Sequence, residues 1–318
     1  MLTLLPWAIG AIWWGGPGAE GQVLYRLMLV GLALTPAVSL TLLKKTRWRW
    51  LALISAGLVG GGFLASFEPS QGRDWNEDQA KLARVERRGD ALVFHHVRDF
   101  DYLSESQWTS SWISMTVRPD DLKRAYFVVE HFGGPEAIAH TMVSFEFAED
   151  RFLVVSVEIR KERGESYDPI AGLFQRYELA YVLATERDAL KLRTHHRKSR
   201  VHLHPIDVSP ERLRAYFLDV VARVESLSGQ PEFYHTLTSS CNTNLARHFE
   251  AVTGQSLAGD YRIYLPGYSS ALIYDLGLSA SAEGLQVMLD RDRVDPDQVD
   301  AHPGPYSQAL RGRPMSSP

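Results

Sequence analysis

The chain holds one cysteine, Cys241, among 318 residues. That scarcity excludes an internal disulfide framework and a cysteine-built zinc site. It also lacks an excess of positive charge: 34 Lys+Arg stand against 38 Asp+Glu, a formal net charge of −4. A basic nucleic-acid binder is therefore excluded. No HExxH or comparable histidine ligand set appears, so no metal site and no cofactor are expected. There is no internal repeat. Apolar residues are not lacking: 45% of the chain is hydrophobic, which excludes a chain too polar to fold.

The mean hydropathy of −0.17 averages two unlike parts. Residues 1–67 are almost uncharged outside one loop, with apolar stretches over Met1 to Ala19, Val23 to Leu43 and Trp50 to Phe67. Each is near the ~20 residues that cross a bilayer core. Pro6 and the Gly15-Gly16-Pro17-Gly18 breaker weaken the first. The basic cluster Lys44, Lys45, Arg47 and Arg49 between the second and third stretches predicts a cytoplasmic loop. The expectation is thus a membrane anchor of two to three transmembrane helices over 1–67. It implies a multi-pass protein of the inner (cytoplasmic) membrane, with everything after Phe67 outside the cytoplasm. A cleaved signal peptide at 1–19 is disfavoured because no basic segment precedes the apolar run.

A polar linker over 68–88 leads to a mixed α and β region over 89–290. A polar tail rich in Asp, Pro and Arg follows over 291–318. Strand patterns occur at Ala91 to Val97, Ala125 to His131, Thr141 to Phe147, Phe152 to Arg160, Glu178 to Ala184 and Val201 to Ile206. Ala148-Glu149-Asp150-Arg151 reads as a hairpin turn. Pro210 to Ser226, capped by Ser209, and Cys241 to Thr253, ended by Gly254, read as helices.

Cys241 falls in the first turn of its helix, where orphan N–H groups and the helix dipole favour a thiolate. The alternative is a small buried hydrophobe. A nucleophilic thiol needs a base, and His140 at the mouth of an alternating strand is the best placed of eleven histidines. His202 and His204 alternate on one face of a strand and read as solvated. Folding the hairpin about residues 149–150 sets His140 opposite roughly residue 159. Ser156, Glu158 and Arg160 share one strand face, so Glu158 can orient the imidazole. The alternative for Glu158 is a surface pair with Arg160. Arg98 and Arg160 are candidates to hold a phosphate, and Tyr102 and Tyr234 to line a cleft. Each has surface pairing or core packing as its alternative.

The order of histidine on a strand, polar residue on the next strand and cysteine at a helix start resembles the circularly permuted papain-like thiol enzymes. More narrowly, HHVRDFDYLSES (95–106), AIAHTMVSFEF (137–147), SVEIRKERGESYDPIAGLFQRYELAYVLATERD (156–188), PEFYHTLTSSCNTNLARH (231–248) and YRIYLPGYSSALIYDLGL (261–278) resemble the family of Lnb-type lipoprotein N-acyltransferases. The family pattern commonly reads Asn-Cys-Thr-Thr. Here it is Ser240-Cys241-Asn242-Thr243, so the residue before the cysteine differs and backbone N–H groups are left to serve an oxyanion.

The resemblance implies an α+β papain-like domain with an antiparallel sheet, preceded by the transmembrane region, and catalysis by Cys241 and His140 with Glu158. Arg98, Tyr102, Arg160, Tyr234 and Asn242 are the expected substrate-binding residues. It implies acyl transfer from a phospholipid at the bilayer, through a cysteine thioester, to a lipoprotein amine, without metal, cofactor or nucleic acid. A thiol hydrolase with the same Cys-His pair, or an inactive binding module, remains an alternative.

Overall fold

Alternating apolar residues make strands the main material of this fold. The computed structural model describes residues 4–17, scattered positions between 23 and 34, and residues 46–279 and 284–312. The chain divides into two units: Met1–Asn76 with Ile159–Leu179 and Pro231–Ser239, and Glu77–Glu158 with Ala180–Gln230 and Ser240–Pro318.

In the first unit lie helices α1 (Leu4–Trp14) and α2 (Thr46–Leu64). Among the described residues, no helix is long and apolar enough to cross a membrane. The 11 residues of α1 rise only about 16 Å, roughly half of a ~30 Å hydrocarbon core. The 19 residues of α2 have the length but not the apolarity. The helix begins inside the basic cluster, taking in Arg47 and Arg49, and Gly57, Gly60, Gly61 and Gly62 dilute its apolar character. The expected transmembrane region, and the multi-pass inner-membrane placement drawn from it, are overturned on this ground. The middle expected span, Val23 to Leu43, lies mostly outside the described residues. Within the same unit Phe174 stacks on Trp14 with ring centroids 6.4 Å apart, and the Arg26 guanidinium donates to the carbonyls of Ile12 and Trp13 at the end of α1.

The second unit holds most of an eight-stranded sheet, of which only residues 159–160 and 178–179, at two strand ends, are grouped with the first unit. Its strands are β1 (Arg84–Arg88), β2 (Ala91–Arg98), β5 (Trp112–Val117), β6 (Leu122–His131), β7 (His140–Phe147), β8 (Arg151–Arg160), β9 (Glu178–Ala184) and β10 (Arg200–Pro205). The order is β1-β2-β9-β8-β7-β6-β10, with β5 also on β2; β3 (Asp101–Ser104) and β4 (Gln107–Thr109) pair separately. β2 meets β9 in parallel at Arg98 and Ala184. The sheet is therefore mixed, a correction to the antiparallel expectation, and the class is α+β. The β7–β8 hairpin turns through Glu149 and Asp150, both with positive φ (59° and 50°), a conformation that short polar side chains such as Asp tolerate best.

Both faces of the sheet are covered. On one, α4 (Pro210–Gly229) drives Phe217 against Phe94, Phe145 and Phe147, with centroids 5.1–6.2 Å apart. α5 (Cys241–Thr253) and α6 (Ser269–Asp275) belong to this side. On the other, α3 (Glu186–Lys191) and the end of the chain supply Ala189, Leu190, Val294, Val299 and Ala309 to a core with Val128, Met142 and Val154. The polar stretch from 291 onward thus contributes core residues: Val294, just after α7 (Leu285–Asp292), Val299 of α8 (Pro296–Ala301) and Ala309 of α9 (Tyr306–Ala309).

Candidate active site

The first turn of α5 carries the cysteine, and the helix starts there because Ser240 caps it. The Ser240 hydroxyl accepts from the Thr243 N–H, and the Thr243 hydroxyl accepts from the Ser240 N–H at 2.7 Å, a reciprocal box that satisfies two orphan donors. The helix ends at Gly254, which takes the left-handed conformation at φ 70° that a Cβ would oppose. His248 ties the helix down, bonding Asp219 of α4 at 2.6 Å and Tyr181 of β9 at 2.9 Å. Cys241 is held within this rigid frame, 8% exposed.

The histidine stands at the first residue of β7. Strand pairing is Met142 to Ser156, and continuing that register sets His140 beside Glu158, one residue from the sequence expectation. The contact is not direct. His140 Nε2 lies 2.7 Å from Ser156 Oγ, and Ser156 Oγ donates to Glu158 Oε1 at 2.8 Å, whereas the imidazole and the carboxylate stand 4.0 Å apart. Since the Ser156 proton goes to Glu158, its oxygen accepts from Nε2–H. This network assigns the tautomer and leaves Nδ1 as the basic nitrogen of the ring.

Glu158 is fixed from behind. Gln79 donates to its second oxygen at 3.1 Å, and Arg193 approaches the first at 3.3 Å. Arg193 is itself gripped by Glu130 at 2.6 Å and by the Ala189 carbonyl at 2.7 Å. Burial pushes the Glu158 carboxyl up, but the charges of Arg98, Arg193 and His140 and the Ser156 hydrogen bond more than reverse this, holding it far below the usual carboxylate range. It is therefore a permanent anion behind the histidine. The Cys241 thiol shows the same competition. Burial raises it, while His140, chiefly through its charge, and Thr141 bring it below its ordinary value.

The remaining expected residues divide by place. Asn242 follows the cysteine and is pinned: it accepts from Thr141 at 3.4 Å and donates to the carbonyls of Arg262 and Ile263 at 3.0 and 3.3 Å. Arg98 is buried in a bidentate pair with Asp188 at 2.9–3.0 Å and bonds the Asp78 carbonyl. Its guanidinium acts on Glu158 through its field. Tyr102 packs with Phe100 and Leu192. Arg160 and Tyr234 belong to the first unit. Arg160 lies 4.2 Å over the Trp75 ring and donates to Gln71 at 2.5 Å, and burial draws its pKa down to about 10. Tyr234 bonds the Tyr177 carbonyl through its N–H at 2.9 Å.

Sequence reasoning placed Ser156 on the right face without giving it a part, and it missed Glu130, Gln79, Thr141 and Arg193. Arg193 stands close in sequence to Arg197, Lys198 and Arg200, and no local signal separates it from them. His202 and His204 are buried rather than solvated, because α6 and α7 cover their strand. His204, 0% exposed, lies between Asp292 at 2.8 Å and Ser270 at 2.9 Å. Among the described residues, no group of His, Cys, Asp and Glu could hold a metal ion.

In comparisons with known proteins, the family model described as Lnb N-terminal periplasmic domain matches residues 108–267, half of the chain. The matched region contains His140, Ser156, Glu158 and Cys241 and leaves out Arg98 and Tyr102. No curated protein and no solved structure matches the chain.

Proposed function

Because this chain belongs to the family of the Lnb N-terminal periplasmic domain, we propose that it is a thiol acyltransferase. It takes an acyl chain from a phospholipid and passes it, through a thioester on Cys241, to an amine such as the N-terminus of a lipoprotein. The observation that carries this reading is a buried thiol at a capped helix start whose pKa His140 lowers.

The steps we propose are those of a cysteine–histidine acyl transfer. His140 Nδ1 takes the Cys241 proton, and Sγ attacks the ester carbonyl. The first-turn N–H groups of α5 face the developing oxyanion with the positive end of the helix dipole. The C–O bond breaks, and the leaving alcohol takes the proton from His140. The acceptor amine then attacks the thioester carbonyl. It loses its proton to His140, which returns it to Sγ as the C–S bond breaks. Through Ser156, the Glu158 anion stabilises the imidazolium at each stage.

Intact-protein mass spectrometry after incubation with phospholipid vesicles tests this. A mass gain of one acyl chain is expected, released by hydroxylamine and absent from Cys241→Ala. Adding a lipoprotein-like amine is expected to clear the adduct as an amide. Release only as free fatty acid would make the protein a hydrolase, and a thiol no more reactive than a free cysteine would remove catalysis altogether.

A further inference from the structure

A cavity of about 260 Å³ opens beneath α5 on the sheet side. Its floor is one face of that helix: Asn242, Leu245, Ala246 and Phe249, continuing to Val252 and Thr253. These positions repeat at helical spacing and run about 16 Å along the axis at 1.5 Å per residue. β6, β7, α4 and α6 supply walls that are mostly aliphatic or aromatic, with Arg212 of α4 and Ser269 of α6 as their polar members. One end begins at Asn242, the residue next to the nucleophile.

A second observation lies on the wall. Ser269 lines the cavity and is 1% exposed, and its hydroxyl has no hydrogen-bond partner among the described residues. It follows the turn Pro266–Tyr268, where the Gly267 N–H bonds the carbonyl of Ala137, three residues before His140. An unpaired hydroxyl inside an apolar cavity is costly unless a ligand or a water pairs with it.

We propose that this cavity is the acyl pocket of the enzyme. It takes one straight, unbranched acyl chain, with the oxygen-bearing end at Asn242 and Ser269 and the methylene tail along the α5 face toward Val252. A mostly apolar slot that starts one residue from the thiol suits such a chain better than a peptide backbone or a sugar, whose many polar groups would outnumber the few the lining offers. The inference rests on the acyl-transfer reading, but it can fail independently of it.

Binding is measured on the full chain carrying Cys241→Ala, with cis-parinarate as the fluorescent probe and saturated fatty acids of graded length as competitors. The parent is expected to bind the probe. Ala246→Trp, which fills the slot, is expected to weaken binding tenfold or more with an unchanged circular dichroism spectrum. Phe249→Ala, which adds volume along the slot, is expected to move the preferred competitor up by two carbons or more, and it decides alone if the tryptophan variant does not fold. Binding unaffected by the filling substitution, or a length preference indifferent to Phe249→Ala, overturns the pocket. The two readings separate in the Cys241-bearing protein. Chain binding lost in Ala246→Trp without any acyl-enzyme keeps the pocket and removes the transferase. Acyl-enzyme whose chain-length profile ignores both substitutions keeps the transferase and removes the pocket.

Discussion

Burial and neighbouring groups pull the Cys241 thiol in opposite directions. Burial alone works against a thiolate, so the lowered thiol depends on His140 and Thr141. The rate of alkylation by iodoacetamide should accordingly rise with a midpoint below the ~8.5 of a free thiol. In His140→Ala the attraction is gone and burial remains, so the midpoint should move above that of a free thiol. Ser156 has a different part. Removing its hydroxyl leaves the Nε2–H of His140 without its 2.7 Å acceptor, a loss of about 1–3 kcal/mol or a ~5- to 150-fold fall in turnover. Ser156→Ala with full activity would show that Glu158 does not act through the serine.

At the scale of the element, the site depends on where α5 begins and on the turn that closes against β7. Ser240 stands where the family pattern has Asn, and it fills the helix-capping position. Ser240→Ala should cost about 1 kcal/mol in a urea titration, and Ser240→Asn should recover most of it, since Asn caps as well as Ser. Gly267 is a tighter constraint. A Cβ there would run into the backbone carbonyl of Glu136, so Gly267→Ala must push the turn away from the segment that leads into His140. The expected outcome is a folded protein with reduced thiol reactivity. Unchanged reactivity would mean that the turn does not set the position of His140. Much of this level was legible beforehand. The α5 helix runs from Cys241 to Thr253 with Gly254 behind it, as capping rules predict. β9 coincides with its expected span, and β7, β8 and β10 fall within a residue of theirs. Local signals suffice where a cap, a turn and a strict alternation agree.

For the whole molecule, the end of the chain is a structural member. Arg311 pairs with the buried Glu186 at 2.6 and 2.9 Å and lies 4.1 Å over the rings of both Tyr126 and Phe152. Arg311→Met keeps the length and loses the charge, leaving Glu186 buried and short of a partner. Breaking a buried pair on one side costs about 3–5 kcal/mol. A fall of that size in unfolding free energy is expected, with the thiol profile of the surviving native protein unchanged. A fall below 0.5 kcal/mol would show the tail to be a surface wrapping.

Read alone, the sequence determined what depends on neighbours a few residues apart: the helix that presents Cys241, the β7–β8 hairpin that carries His140, Ser156 and Glu158, and the family to which the chain belongs. Only the tertiary structure decided what depends on distant partners. Arg193 and Arg98 flank Glu158 because the segment after α3 and the end of β2 come together behind it. His204 is buried because α6 and α7 close over β10. Apolar composition also misjudged residues 1–67: a run of apolar letters records no helix boundaries, and a span requires length and apolarity in the same helix. Spacing along the chain reports which face a residue occupies. What covers that face, and which charge stands behind it, is settled only when the segments meet.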